Sequence, residues 1–195
     1  MKNQNKGNYM IVLASGSPRR KELLSQRIKD FQIIVPQVNE ELIVSSTLEE
    51  IPLLRATKKA LEVSKDHPND LVIGADTVVI IDNQLLGKPR SEEEARWMLE
   101  TLSNRTHKVV TSCCLILNNE KHYVNSVSLV TFRNLSEKEI TAYIKTKSPY
   151  DKAGGYGIQD SSHFVASIEG DYNNVMGLPL AELMLEINKL IKTPH

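Results

Sequence analysis

The chain has no apolar run near the ~20 residues that a membrane-crossing helix needs. Its opening residues, Met1 to Tyr9, are polar and hold no apolar signal-peptide core, so a soluble, cytoplasmic protein is expected. Neither sign of charge is in surplus: Lys+Arg and Asp+Glu each number 24. The long basic stripe of a non-specific nucleic-acid binder is therefore missing, although a small anionic substrate needs only a local basic cluster. Cysteine is scarce. Cys113 and Cys114 are the only two, and neighbours in a strand point to opposite faces, which argues against a mutual disulfide or a shared metal site. Plain strand packing in a reducing compartment is expected of them. The five histidines show no HxxxH spacing, and the GxxxxGK[ST] phosphate loop is absent.

What is present suits one compact domain with two lobes around a cleft. At 195 residues with 41% hydrophobic and 25% charged, the chain can build a core without staples. Residues 1–9 form a polar extension, and 10–195 form a single catalytic domain. Strands and helices alternate, which points to an α/β class. Strands are expected at 9–14, 31–35, 71–81, 85–86, 109–117, 122–132 and 164–168. The segment 71–81 is the most apolar, and Gly74-Ala75-Asp76-Thr77 interrupts it. Asn118-Asn119-Glu120 signals a hairpin.

Helices are expected from Pro18 to about Ile28 with Ser17 as N-cap, and from Leu48 to Ser64. Two more open on the capping boxes Ser91/Glu94 and Ser136/Glu139, and Pro179 starts an amphipathic C-terminal helix. Trp97, on the Ser91 helix, is expected in the core. Hairpins mixed with helical crossovers favour a mixed sheet.

Four segments could carry chemistry. Ala14-Ser15-Gly16-Ser17-Pro18-Arg19-Arg20 runs from a strand through small residues into a helix N-terminus, where free N–H groups and the helix dipole attract anions. Two arginines in that first turn oppose the dipole, and an anionic ligand would remove the conflict. Asp76 places a carboxylate in an apolar run, which is costly unless it meets a cation or metal. Beside it, Gly74 and Ala75 leave room for a ligand. Gly87-Lys88-Pro89 holds a lysine on a constrained loop. In Asp151-Lys152-Ala153-Gly154-Gly155-Tyr156-Gly157-Ile158-Gln159, three glycines permit close backbone approach, and Gln159 can both donate and accept towards a base edge. Glu40-Glu41 offers a metal ligand or a solvated acidic loop. Lys59 shares its helix with Arg55 and Lys58, where a solvated face is usual.

In this order, and together with Asn174-Val175-Met176-Gly177-Leu178-Pro179, these segments resemble the Maf family of nucleoside triphosphate pyrophosphatases from Ile11 to about Leu190. The resemblance implies an elongated mixed central sheet flanked by helices, two lobes around a cleft, and often a homodimer. It implies hydrolysis of the α–β phosphate bond of a nucleotide with Mg²⁺ or Mn²⁺, releasing a monophosphate and pyrophosphate. By position, Asp76 matches the catalytic base. Arg19, Thr77 and Gln159 match residues linked to substrate choice. Ser17, Arg20, Glu40, Lys59, Lys88 and Lys152 match the lining of the phosphate and metal region, with Glu40 and Asp76 as metal ligands.

The Asp-Lys-Ala-Gly…Ile-Gln form is similar to the branch preferring dTTP and UTP. A sister branch acts on 7-methyl-GTP, and the family is also associated with septum formation, so a nucleotide-binding regulator of cell division is the competing class. One residue departs from the pattern: Asp160 follows Ile-Gln where Gly is usual, which bears on the local turn.

Overall fold

The computed structural model describes residues 9–40 and 43–192. Seven strands form one mixed sheet: β1 (Ile11–Ala14), β2 (Gln32–Ile33), β3 (Leu71–Ile81), β4 (Gln84–Leu86), β5 (Thr106–Leu117), β6 (Glu120–Phe132) and β7 (Val165–Glu169). The order is β2-β1-β3-β5-β6-β7, with β4 added to β3. The first three strands in that order are parallel, and the remaining pairings are antiparallel.

Strand β3 covers Leu71–Ile81 as expected and runs unbroken through Asp76, so the small and polar residues that interrupt its apolar run do not break the strand. What breaks is its neighbour. On one edge, β1 pairs with Leu71 to Gly74 and β4 pairs with Val79 to Ile81, whereas Ala75 to Val78 pair only with β5 on the other edge. The sheet thus splits beside Asp76, and such a divergence of strands is where open α/β sheets take ligands. Gly74 does not leave space for a ligand either. A Cβ there would meet Ala56 O at 2.3 Å and Ala60 N at 2.8 Å, so the room is filled by helix α2 (Ile51–Ser64).

The hairpin joining β5 to β6 turns at Asn118 and Asn119, both at positive φ (51° and 66°), a conformation that asparagine tolerates in two-residue loops. Alternation along β5 sends Cys113 into one core and Cys114 into another on the opposite face, both as free thiols. Burial pushes Cys113 up to about 12.

Helix α1 (Pro18–Ser25) is shorter than expected. Helix α3 (Glu92–Leu102) opens on Ser91, whose side chain accepts from Glu94 N, but Glu94 Oε2 accepts from Arg90 N rather than closing the box on Ser91. In α4 (Glu137–Lys145) the Ser136/Glu139 box is complete. A short α5 (Tyr172–Met176), not expected from sequence, precedes α6 (Leu180–Lys192).

Trp97 corrects another expectation, being 46% exposed. The buried stripe of α3 is Ala95, Met98, Leu99 and Leu102, the spacing of one helical face, and position 97 falls off it. Two large cores result. One gathers Leu13, Leu23, Ile73, Leu115 and Leu183 around β1, α1 and α6; the other gathers Val79, Leu99, Phe132, Ile144 and Phe164 around α3 and α4.

Candidate active site

A cleft of about 1240 Å³ opens at the split in the sheet. Ser17, Arg19, Arg20, Glu40, Lys59, Asp76, Thr77, Lys88, Lys152 and Gln159 all line it, so these ten residues, drawn from distant stretches of chain, reach one cavity. Glu41, considered beside Glu40, lies outside the described residues.

The floor is an ion cluster. Lys59, from α2, places its Nζ 2.7 Å from Asp76 Oδ1 and 2.9 Å from Glu40 Oε1, and it also donates to Ala75 O at 3.4 Å. Lys59 is 7% and Asp76 5% exposed, so the solvated face expected for this helix applies to Lys58 alone. Stripping water from two such groups costs several kcal/mol each, which their pairing must offset. Asp76 Oδ2 is buried and accepts no hydrogen bond. Arg55 Nη1 approaches it to 3.8 Å. Burial alone would raise the Glu40 carboxyl, but Lys59, Arg55 and Lys88 together hold it below its ordinary range.

The wall next to β1 is tied together by Arg20. Its Nε donates to Gly177 O (2.9 Å), Nη1 to Ser15 Oγ (3.2 Å) and Nη2 to Thr77 Oγ1 (3.1 Å). Burial pushes this guanidinium below its usual value, against the nearby Asp76 charge, which raises it. Behind it, Thr111 gives its one hydroxyl proton to Asn174 O at 2.9 Å. Thr77 must then be the donor in the 2.9 Å Thr77–Thr111 contact while it accepts from Arg20. Asn174, fully buried, anchors that chain on Val109 O and Ser128 Oγ. Ser17 stands at the N-cap of α1, yet its side chain makes no capping bond, and Ser17 N donates to Ser15 Oγ instead. The first-turn N–H groups therefore keep their attraction for an anion.

Across the cleft, Arg19 Nη1 pairs with Asp151 Oδ2 at 2.9 Å, and Nη2 donates to Asp151 O at 3.3 Å. Lys152 Nζ meets Asp151 Oδ1 (2.7 Å) and Ser148 O (2.7 Å), with Asp160 Oδ2 3.6 Å away. Burial favours the neutral Asp151 acid, but hydrogen bonds from Lys152 and Arg19 prevail and lower it. Asp160, the departure noted above, accepts from Ser148 Oγ and from Tyr143 OH, which in turn accepts from Gly157 N. It therefore pins the turn that presents the exposed Gln159.

The glycines here serve packing rather than ligand approach. Gly154 and Gly155 sit at φ 70° and 69°, and a Cβ on Gly154 would press on Val79 at 3.0 Å.

Sequence reasoning placed Arg55 on a solvated helix face and gave it no role in the site. For Arg55 a signal existed: 55 and 59 are one helical turn apart and flank the buried Ala56 and Ala60. Among the described residues, no three His, Cys, Asp or Glu side chains gather as a metal cage. A hard dication such as Mg²⁺ needs only one or two carboxylates plus substrate phosphates, and Glu40 with the unpartnered Asp76 Oδ2 fits that donor set.

The chain is similar to known proteins over most of its length. A dTTP/UTP pyrophosphatase of Bacillus mycoides is 45% identical over 180 residues, 92% of this chain and 94% of its own. One from Bacillus cereus is 43% identical with the same coverage. The solved Staphylococcus aureus Ham1 protein aligns with 63% of this chain and 71% of its own at 19% identity, with a TM-score of 0.46. Residues 10–190 match the profile described as Maf-like protein, and the chain belongs to that family.

Proposed function

We propose that this protein is a nucleoside triphosphate pyrophosphatase for dTTP and UTP, cutting the α–β bond to give a monophosphate and pyrophosphate. The observation that carries the reading is the buried Asp76 carboxylate, held through Oδ1 by Lys59 and with Oδ2 free of hydrogen bonds, in the cleft shared with Arg19, Arg20, Lys88 and Lys152. The relatives named dTTP/UTP pyrophosphatase supply the substrate class.

In this reading the Asp76 carboxylate takes the proton of a water whose oxygen attacks the α-phosphorus, and the bond to the α–β bridging oxygen breaks. Lys59, Lys88, Lys152 and the free N–H groups of α1 neutralise the phosphates, so positioning and charge stabilisation supply most of the rate. Glu40 and Asp76 would hold a divalent ion, Mg²⁺ or Mn²⁺, which when bound supplies charge neutralisation at the phosphate oxygens. Arg19, Thr77 and Gln159 read the base and sugar end. The working form is a cytoplasmic homodimer, checked by light scattering. The family match begins at residue 10, so deleting residues 1–8 should leave turnover unchanged.

The deciding experiment is a panel of dTTP, UTP, CTP and 7-methyl-GTP with Mg²⁺, with Mn²⁺ and with EDTA, following pyrophosphate and orthophosphate separately. Pyrophosphate from dTTP and UTP, lost in EDTA, is expected. Orthophosphate as the first product would mean the wrong bond, and UTP binding without turnover would favour the regulator of cell division.

A further inference from the structure

The Asp76 floor carries one more cation than the sequence motifs account for. Arg55 stands one turn before Lys59 on α2, and both side chains turn into the cleft. Like charges at that spacing repel unless an anion lies between them. Lys59 meets two carboxylates within hydrogen-bonding distance, Glu40 and Asp76. Arg55 has none that close: Nη1 approaches Asp76 Oδ2 only to 3.8 Å, too long for a hydrogen bond, and its Nε is buried with no partner among the described residues. An Arg–carboxylate pair built for stability forms two parallel bonds near 2.8 Å. This one is left open on both sides, since Asp76 Oδ2 also lacks a hydrogen bond.

Charge accounting agrees. Arg20, Arg55, Lys59 and Lys88 bring four positive charges around the two negative charges of Glu40 and Asp76. Arg20 has already committed an N–H from each of its three nitrogens to the protein. A half-buried guanidinium whose Nε has no partner, and whose Nη1 stands 3.8 Å from an unbonded carboxylate oxygen, is completed by an acceptor that brings negative charge of its own.

We propose that Arg55 is a further substrate-binding residue of this site, donating to a non-bridging phosphate oxygen of the bound nucleotide on the α2 side of Asp76, and to the pyrophosphate before it leaves. The proposal rests on the pyrophosphatase reading for the identity of its ligand. The polyphosphate contact itself can be tested without turnover.

The test compares wild type with Arg55→Leu, Arg55→Gln and Arg55→Lys. Calorimetry measures binding of inorganic pyrophosphate and tripolyphosphate, and steady-state kinetics measure UTP. Loss of one charge-assisted contact should weaken polyphosphate binding and raise the KM for UTP roughly 10- to 100-fold in the Leu and Gln variants. Arg55→Lys, which keeps the charge without the fork, should recover part of the affinity. A role confined to packing would lower the melting temperature but leave the affinity of the folded fraction unchanged, and that result overturns the proposal. Unaltered binding in Arg55→Gln, or in Arg55→Lys should neither neutral variant fold, overturns it too. If wild type binds tripolyphosphate but never turns over UTP, the pyrophosphatase reading fails while the Arg55 contact is still decided by the variants.

Discussion

Lys59 Nζ lies 2.7 Å from Asp76 Oδ1, and that bond decides which carboxylate oxygen stays available, because Oδ2 accepts none. The pair joins helix α2 to the one stretch of β3 whose outer edge is bare. Chemistry and architecture therefore meet at the same two side chains.

Replacing Asp76 by Asn keeps the shape and removes the proton acceptor. Pyrophosphate release should fall by about 10²- to 10⁴-fold, while calorimetry should still detect UTP binding. Breaking a buried pair outright costs about 3–5 kcal/mol, but Glu40 Oε1 remains 2.9 Å from Nζ. Urea unfolding should therefore show a smaller loss, about 1–3 kcal/mol. Near-normal turnover would remove Asp76 as the base.

Gly74 tests whether α2 must lie so close. A Cβ would come within 2.3 Å of Ala56 O and 2.8 Å of Ala60 N, backbone atoms that cannot swing aside. Gly74→Ala should push the helix outward, destabilise the fold by about 1–3 kcal/mol or more, and draw Lys59 from Asp76. Turnover measured well below the melting temperature should drop as well; a loss of stability with full activity would show that the pair tolerates the shift.

Acid sensitivity has a clear source outside the cleft. His107 is buried, its Nε2 lies 2.7 Å from Tyr156 OH, and its ring packs edge-on against Phe132. Burial pushes its pKa from 6.5 to about 3. The unfolded chain takes up the proton first, so stability is complete above the unfolded value and declines as the pH drops through 6.5 towards 3. Between pH 6.5 and 5 the loss from this residue is about 2 kcal/mol. Urea titrations across that window should give a flatter profile for His107→Gln, whose amide still reaches Tyr156. Equal slopes would exclude His107 as the source.

Arg19, Arg20 and Asp76 were legible because each sits in a short motif whose composition defies its surroundings, arginines at a helix N-terminus and an aspartate in an apolar strand. Lys59 and Glu40 have ordinary surroundings and were assigned to the site only by the family resemblance. Pairing was not legible. Nothing in the local sequence around Gly74 and Asp76 reports that β1 ends and β4 begins on the same edge of β3. Trp97 was misplaced because hydrophobic identity outweighed its phase on the helix. Arg55 was given no role because its partner lies 21 positions away, on β3.

Asp160 offers a test of how the chain's own departure from its family acts. Its Oδ2 lies 3.6 Å from Lys152 Nζ, with 39% of the Asp160 side chain exposed, so the attraction is partly screened and worth about 0.2–1 kcal/mol. It nonetheless competes with phosphate for the same ammonium. Asp160→Asn keeps an oxygen for Ser148 Oγ and Tyr143 OH, preserving the turn at Gly157, while removing the charge. The KM for UTP should fall about 1.5- to 5-fold with kcat unchanged, since the ground state and the transition state gain alike. A rise in KM would instead mean that Asp160 is needed to hold Lys152 in place, and the carboxylate would then be a support for binding and not its competitor.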